Sequence, residues 1–197
     1  MSRSPAAELV QDVIRVAVQP QMKRLGFRKS GATFRHDLAD CTQVLNVQSS
    51  SGNTWAEARF TINVGVFFPA AQALGEGLIG SEPGPSGPFE YQCTIRKRIG
   101  ALLPGGQDLW WTVRSGAPID EVVRAVESAV RDAAIPWLNR VSSIEQARVE
   151  ASRSAAMVLA VLVNDLDTAR AIAAEFATNR PDATFLISWA RRHGLLA

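Results

Sequence analysis

Cysteine and histidine are scarce in this sequence of 197 residues, which contains two of each. Cys41 and Cys93 are far apart along the chain, and the acidic residues show no spacing typical of metal ligands. These absences argue against a disulfide-stapled scaffold and against a zinc site. We therefore expect reduced thiols, no metal and no cofactor.

Long apolar segments are also absent. The most apolar run, Ala155–Val163, has nine residues, whereas a membrane-spanning helix needs roughly 20. Glu8 and Asp12 interrupt the N-terminal region, so we expect no secretory signal there. The sequence thus predicts a cytoplasmic protein without membrane contact.

The chain has little net charge. Its formal value is +2, although residues 1–36 carry seven basic and two acidic residues, a local excess of +5. Arg96–Arg98, followed by Trp110 and Trp111, would suit a phosphate backbone with stacked bases. One basic tripeptide without a wider basic stripe is more often a surface feature, so the sequence disfavours nucleic-acid binding.

Hydrophobic periodicity predicts an α+β fold. Apolar residues recur at helical spacing after Ser4, and this first helix ends near Gly26 with a kink or break at Pro20. The period then changes to two, which predicts antiparallel strands joined by short turns. The predicted strands are 32–37, 41–50, 57–68 and 109–114. We expect this sheet of about four strands to be packed by the first helix and by a long helix after Pro118, which ends or bends at Pro136.

The C-terminal region has helical periodicity throughout. Ser142–Glu145 has the spacing of a capping box and predicts a helix through about Val163, with two more helices over 167–178 and 182–193. The part of the first helix over Ser154–Val163 is apolar almost all round, so it is either buried centrally or covers a partner. We interpret residues 1–140 as an α+β core domain and residues 141–197 as a helical extension packed on or beside it.

Residues 80–88, here called the Gly/Pro loop, consist of glycine, proline and serine apart from Glu82. We expect this loop to be mobile and consider it a candidate lid. The preceding Gly75–Gly80 has the glycine spacing of a dinucleotide-binding fingerprint. That motif needs a helix N-terminus directly after it, and none is expected here, so nucleotide binding at this segment is disfavoured.

Alternation along the first three strands places several polar side chains on one face of the predicted sheet. Amides and hydroxyls beside guanidinium groups are suited to binding an anion, with Trp110 as an aromatic neighbour. The candidate ligand-binding residues are Arg35, Asn46, Gln48, Thr61, Asn63, Arg96, Arg98 and Trp110. The simpler interpretation is a solvated sheet face, which antiparallel sheets commonly have.

His36 lies next to Asp37 and near Asp40, as a general base would. An ordinary polar hairpin has the same pattern, and no nucleophile, base and orienting group form a recognisable set. No catalytic residue is assigned. An enzyme acting on a phosphorylated or nucleotide-like substrate, with His36 as base and Arg96 and Arg98 as electrophilic groups, remains an alternative.

Four ordered motifs resemble a bacterial family known only as a domain of unknown function, number four-three-zero-four. The motifs are Leu25–Phe34, Phe60–Pro69, Cys93–Gly100 and the pair Trp110-Trp111. The resemblance covers roughly residues 5–140. It implies an α+β fold with an antiparallel sheet in small stand-alone bacterial proteins, and it implies no activity.

These patterns favour a non-catalytic binding or interaction protein. The polar sheet face and the Gly/Pro loop would hold either a protein partner or a small anionic ligand. A further alternative is an immunity-type protein that neutralises a toxin by surface contact, an analogy based on size and organisation alone.

Overall fold

The protein is built on one antiparallel sheet. The structure, a computed structural model, describes residues 3–197. Its strands are β1 (Arg28–Ser30), β2 (Thr33–Asp37), β3 (Thr42–Ser49), β4 (Glu57–Phe67), β5 (Ile95–Arg98) and β6 (Trp111–Arg114). The order is β1-β2-β3-β4-β5, and β6 also pairs with β4. The predicted α+β class with an antiparallel sheet is confirmed, with six strands where about four were predicted.

Strand β4 organises the sheet because it pairs with three other strands. Its residues Phe60–Phe67 pair with β3 on one side. On the other side its first half pairs with β6, so that Phe60 is opposite Trp111. Its second half pairs with β5, so that Asn63 is opposite Arg98. The basic strand β5 therefore lies directly beside the polar positions of β4.

Two long helices cover one face of the sheet. The first consists of α1 (Pro5–Val13), a π-helical turn Ile14–Val18 and α2 (Gln19–Arg24). The second consists of α4 (Asp120–Ala129), a π-helical turn Val130–Ala134 and α5 (Ile135–Arg140). Each π turn comes just before a proline, Pro20 or Pro136. Proline lacks an N–H and its ring crowds the carbonyl of residue i−4, so widening the preceding turn lets each helix continue through the proline.

The remaining helices follow β4 and fill the C-terminal region. They are α3 (Pro69–Gly75), α6 (Ile144–Glu150), α7 (Arg153–Leu162), α8 (Leu166–Asn179) and α9 (Thr184–Arg192). Helix α3 was not predicted, because Pro69 was interpreted as a strand terminator although proline also favours the first turn of a helix. The predicted single helix over 142–163 is two helices, since the backbone is extended at Ala151 and Ser152.

A single hydrophobic cluster joins the sheet, the two long helices and the C-terminal helices. It contains Phe60 and Ile62 of the sheet, Trp137 of α5, and Met157 and Trp189 of the C-terminal region. Helix α7 is buried from Ala155 to Ala160, which explains its lack of a polar face. Along residues 3–197, no helix is long and apolar enough to cross a membrane.

Candidate functional site

The face of the sheet that points away from the helices carries most of the candidate residues. Strand register places Thr33, Asn46, Asn63 and Arg98 in one row across the sheet. The adjacent row contains Arg35, Val44, Gly65 and Arg96. The alternation that predicted a polar face therefore corresponds to real neighbours across strands.

A pocket of about 480 Å³ opens on this face next to β5. Four of the eight candidate residues line it, and these four are Gln48, Asn63, Arg96 and Arg98. The other lining residues are Glu90, Lys97, Ala101, Gly106, Gln107 and Asp108. The pocket is rich in hydrogen-bonding groups and has few apolar walls.

Arg98 is the centre of the hydrogen-bond network in the pocket. Its Nη1 donates to Asp108 Oδ1 at 2.6 Å, and its Nε donates to Asn63 Oδ1 at 3.4 Å. Asn63 in turn donates from Nδ2 to Gln48 Oε1 at 2.7 Å. One chain of polar contacts thus links β5, β4 and β3.

The Trp110 side chain lies next to this network and contacts two of its members. Its Nε1 donates to Asp108 Oδ2 at 2.9 Å. The guanidinium carbons of Arg98 and Arg59 lie 5.2 Å and 5.7 Å from the Trp110 ring centroid, within cation–π range. Hydrogen bonds from Arg98 and Trp110 lower the pKa of the Asp108 carboxyl, so it is ionised at neutral pH.

Arg96 contacts the opposite side of the pocket. Its Nη1 lies 3.5 Å from Glu90 Oε1, and more than half of its side chain is exposed. This ion pair is weak, because its atoms are 3.5 Å apart, water screens the exposed arginine, and ordering two long side chains costs entropy. Arg96 therefore keeps most of its hydrogen-bonding capacity for another acceptor.

The other four candidate residues do not line the pocket, although one of them, Trp110, contacts Arg98 beside it. Asn46 donates from Nδ2 to Thr33 Oγ1 at 2.9 Å, which satisfies a cross-strand pair. Thr61 is fully buried, and its hydroxyl has no hydrogen-bond partner within residues 3–197. Arg35 is buried beneath the Gly/Pro loop, where its Nε donates to the Pro88 carbonyl at 2.7 Å.

The strand register places His36 on the face of the sheet opposite to Arg96 and Arg98. His36 is opposite Gln43 in the row that faces the helices, whereas Arg96 and Arg98 face the other way. The His36 ring packs against Phe27 with centroids 5.1 Å apart. A substrate bound at Arg96 and Arg98 is therefore on the opposite side of the sheet from this imidazole.

The basic tripeptide and the tryptophan pair are also divided between the two faces. Lys97 points toward the helices and forms an ion pair with Glu150 at 2.9 Å. Trp111 packs against Phe60 in the core, with centroids 5.6 Å apart. Neither residue is placed to contact a nucleic acid on the polar face, which weakens the interpretation that the sequence already disfavoured.

The Gly75–Gly80 segment follows a helix and does not precede one. Helix α3 ends at Gly75, and the residues after Gly80 are irregular. A dinucleotide fingerprint needs free amides at a helix N-terminus after the glycines. This geometry agrees with the sequence argument against nucleotide binding at the segment.

Sequence reasoning missed Asp108, Glu90 and Arg59 as members of the site. Asp108 precedes β6 and Glu90 follows the Gly/Pro loop, so neither residue belongs to an alternating pattern. Arg59 did carry a signal, because it is on the same face of β4 as Thr61 and Asn63. Within the described chain, no three histidine, cysteine or acidic residues are placed to hold a metal ion.

Comparison with known families finds one match. The family described as Domain of unknown function (DUF4304) matches residues 18–140, a range that includes all six strands and the pocket. No curated protein and no solved structure matches the chain. The matched range covers more than half of the sequence, and it shows that the chain belongs to the DUF4304 family.

Proposed function

We propose that the protein is a non-catalytic binding protein whose pocket beside β5 holds a small molecule with an oxyanion group. The observation that carries this proposal is the convergence of Gln48, Asn63, Arg96 and Arg98 on one concave surface. Two guanidinium groups and two amides provide many hydrogen-bond donors for a carboxylate or phosphate.

The pocket has the size that a small molecule requires. Its volume of about 480 Å³ is within the range of roughly 300–1,000 Å³ typical of ligand sites. Its walls are mostly polar, which favours a small, hydrogen-bonding ligand over an apolar ligand. The aromatic ring of Trp110 lies beside Arg98 and offers one apolar contact at the edge.

The arginines are available to an anion although both have acidic partners. Asp108 and Arg96 are each more than half exposed, so water partly screens their ion pairs with the less exposed Arg98 and Glu90. Ion pairs that water screens contribute little to stability. An incoming oxyanion can therefore replace either carboxylate at little cost.

The chemistry of the lining residues supports binding over turnover. The two acids in the pocket are Glu90 and Asp108, and each is held by an arginine. The lowered pKa of Asp108 makes it a weak base at neutral pH. His36 is on the opposite face, so the pocket has no base matched to neutral pH among the residues that line it.

Isothermal titration at constant ionic strength tests the proposal, with orthophosphate, citrate and AMP as probes. We expect at least one probe to bind, and Arg98→Gln to weaken that binding about tenfold, the loss of one charge-assisted hydrogen-bond pair. Arg114→Gln is the matched control, because Arg114 is an exposed, ion-paired arginine on the same sheet face.

Each possible result of this titration leads to a different conclusion. Equal losses in Arg98→Gln and Arg114→Gln would indicate general charge attraction and no specific site. No binding of any probe would contradict a small-anion pocket and direct the search to protein partners. Turnover of a probe that requires Arg98 would contradict the non-catalytic assignment.

We also propose a cytoplasmic, bacterial setting. Both cysteines are buried and free, as they are in a reducing compartment. The family resemblance supports the bacterial assignment. Thiol titration in denaturant, on protein freshly purified from its native cells, would test the first point, since two free thiols are expected.

A further inference from the structure

Arg35 is a buried cation without an acidic partner. Its side chain lies on the polar face of β2, and the residue is only 6% exposed. Across residues 3–197, no carboxylate forms an ion pair with it, because Asp37, two positions away, is bound by Arg28 and Thr42. Burial lowers the pKa of the Arg35 guanidinium. Buried charges in proteins are normally paired, so this arrangement needs an explanation.

On one edge of the Arg35 guanidinium, only one of the two N–H donors has a hydrogen-bond partner. Nε donates to the Pro88 carbonyl at 2.7 Å, whereas Nη2 is buried and has no partner within residues 3–197. The N–H groups of Nε and Nη2 point in parallel from the same edge. The Pro88 carbonyl oxygen accepts from Nε alone. A carboxylate or phosphate has two oxygens at the matching spacing and fills both.

The Gly/Pro loop covers this edge and is held to the sheet by few contacts. The Phe89 ring, just after the loop, lies 4.9 Å from the Arg35 guanidinium carbon. Gly87 has φ +82°, and a Cβ there would be 3.2 Å from Arg35 Cδ. Within the described chain, the bond from Arg35 to Pro88 is the hydrogen bond that joins residues 80–88 to the sheet. Gln92, in the short helical turn after the loop, donates from Nε2 to Ser81 Oγ and to the Glu82 carbonyl, so the first residues of the loop are held to that turn.

We propose that Arg35 is the receptor of a second oxyanion site, in which a carboxylate or phosphate replaces the Pro88 carbonyl when the Gly/Pro loop lifts. The loop carbonyl occupies half of the site in the closed state. The site is distinct from the pocket beside β5, because Arg35 is on β2 and does not line that pocket. The inference therefore does not depend on the proposed function.

The first test follows the Arg35 Nε–H signal by NMR in the full chain, titrated with orthophosphate and, separately, with acetate at constant ionic strength. Saturable shifts of this signal are expected with at least one of the two ions, and the stronger one identifies the oxyanion class. Arg35→Lys assigns the signal and keeps the charge but removes the parallel donor pair. We expect it to weaken binding at least tenfold, as followed in both proteins on the backbone amide signal of Gly87, which lies beside residue 35.

The second test uses a substitution that disfavours the closed conformation of the Gly/Pro loop. Gly87→Ala places a side chain at a positive φ and close to Arg35, so it disfavours the closed loop without altering the receptor. Affinity for a site that is only partly accessible rises with the accessible fraction. We therefore expect Gly87→Ala to bind the same ion at least threefold more tightly. Gly84→Ala is the matched control, because a Cβ at Gly84 meets nothing within 4 Å and its φ is not positive.

Hydrogen exchange over residues 80–92 provides an independent readout, since ion binding should speed exchange there while the rest of the sheet is unchanged. An absence of saturable shifts, or equal binding by the wild type and Arg35→Lys, would overturn the proposal. Tighter binding in Gly84→Ala equal to that in Gly87→Ala would also overturn it. Arg98→Gln separates the two sites, because it should leave the Arg35 response intact.

Discussion

Two buried polar atoms without hydrogen-bond partners lie on the same face of the sheet, and they differ in their chemistry. Arg35 Nη2 belongs to a charged guanidinium, whereas Thr61 Oγ1 is a neutral hydroxyl in a fully buried residue. A buried hydroxyl without a partner loses its hydration and gains nothing in return. The hydroxyl of Thr61, in the centre of β4, therefore lowers the stability of the folded protein.

Replacement of this hydroxyl by a methyl group should stabilise the protein. Thr61→Val keeps the shape and the β-branch that suits a strand, and it removes the unsatisfied group, so we expect a gain of about 1 kcal/mol in the free energy of unfolding. Thr33→Val is the matched control, because Thr33 Oγ1 accepts a hydrogen bond from Asn46 at 2.9 Å. That variant should lose about 1 kcal/mol. Urea unfolding measures both, and a loss in Thr61→Val would show that the hydroxyl is satisfied in solution.

The side-chain alternation of the strands predicted which residues share the polar face, but not what covers them. Gln48, Asn63, Arg96 and Arg98 line the pocket because β3, β4 and β5 are neighbours. Arg35 has the same alternation and is buried, because a loop about 50 positions later in the chain folds over it. Periodicity carries no information on such long-range contacts, so the candidate site could be predicted only in part.

At the scale of elements, the sequence predicted those with strong periodicity and missed those without it. Strands β2, β3 and β4 alternate clearly and were predicted within about two residues of their observed ends. Strand β1 has three exposed residues and β5 reads Ile-Arg-Lys-Arg, so neither has an apolar alternation of its own. They are strands because β2 and β4 offer free edges for pairing.

The break between α6 and α7 was also missed, and it depends on one serine. Ser152 has an extended backbone, and its hydroxyl accepts a hydrogen bond from the Ala155 amide. Loss of such an N-cap costs about 1 kcal/mol. We expect Ser152→Ala to reduce the free energy of unfolding by this amount, as measured by urea denaturation. Ser51→Ala, in an exposed turn, is the control and should be near neutral. Equal effects of the two substitutions would contradict a capping role.

At the scale of the whole molecule, Glu150 connects the C-terminal helices to the sheet and to the long helix. Its carboxylate lies 2.9 Å from Lys97 Nζ of β5 and accepts a hydrogen bond from Trp137 Nε1 of α5 at 2.7 Å. Arg140 of α5 also binds it. Lys97 lies between the two pocket arginines on β5, so this contact also anchors the strand that carries the pocket.

The stability that Glu150 gives to the folded protein depends on pH, because the pKa of its carboxyl is shifted. Burial alone would raise the pKa of this carboxyl, but hydrogen bonds from Lys97, Trp137 and Arg140 outweigh burial and lower the pKa to about 2. A carboxylate with a lowered pKa stabilises the folded state fully above the pKa it has in the unfolded chain, about 4.5. That stabilisation is lost as the pH falls from about 4.5 toward 2.

Glu150→Gln should therefore be costly at neutral pH and nearly harmless in acid. The substitution removes the charge that binds Lys97 and Arg140, and we expect a loss of about 2 kcal/mol in the free energy of unfolding at pH 7. The difference from the wild type should shrink between pH 4.5 and pH 2, because the wild-type carboxylate becomes protonated over this window. Urea unfolding at pH 7, 4.5 and 3 measures the difference, with Glu145→Gln as the control. Glu145 lies on the same helix, is exposed and has no ion-pair partner within residues 3–197. A pH-independent loss in Glu150→Gln would mean that the side chain acts by packing, and the C-terminal helices would then be held to the sheet by the shared hydrophobic cluster alone.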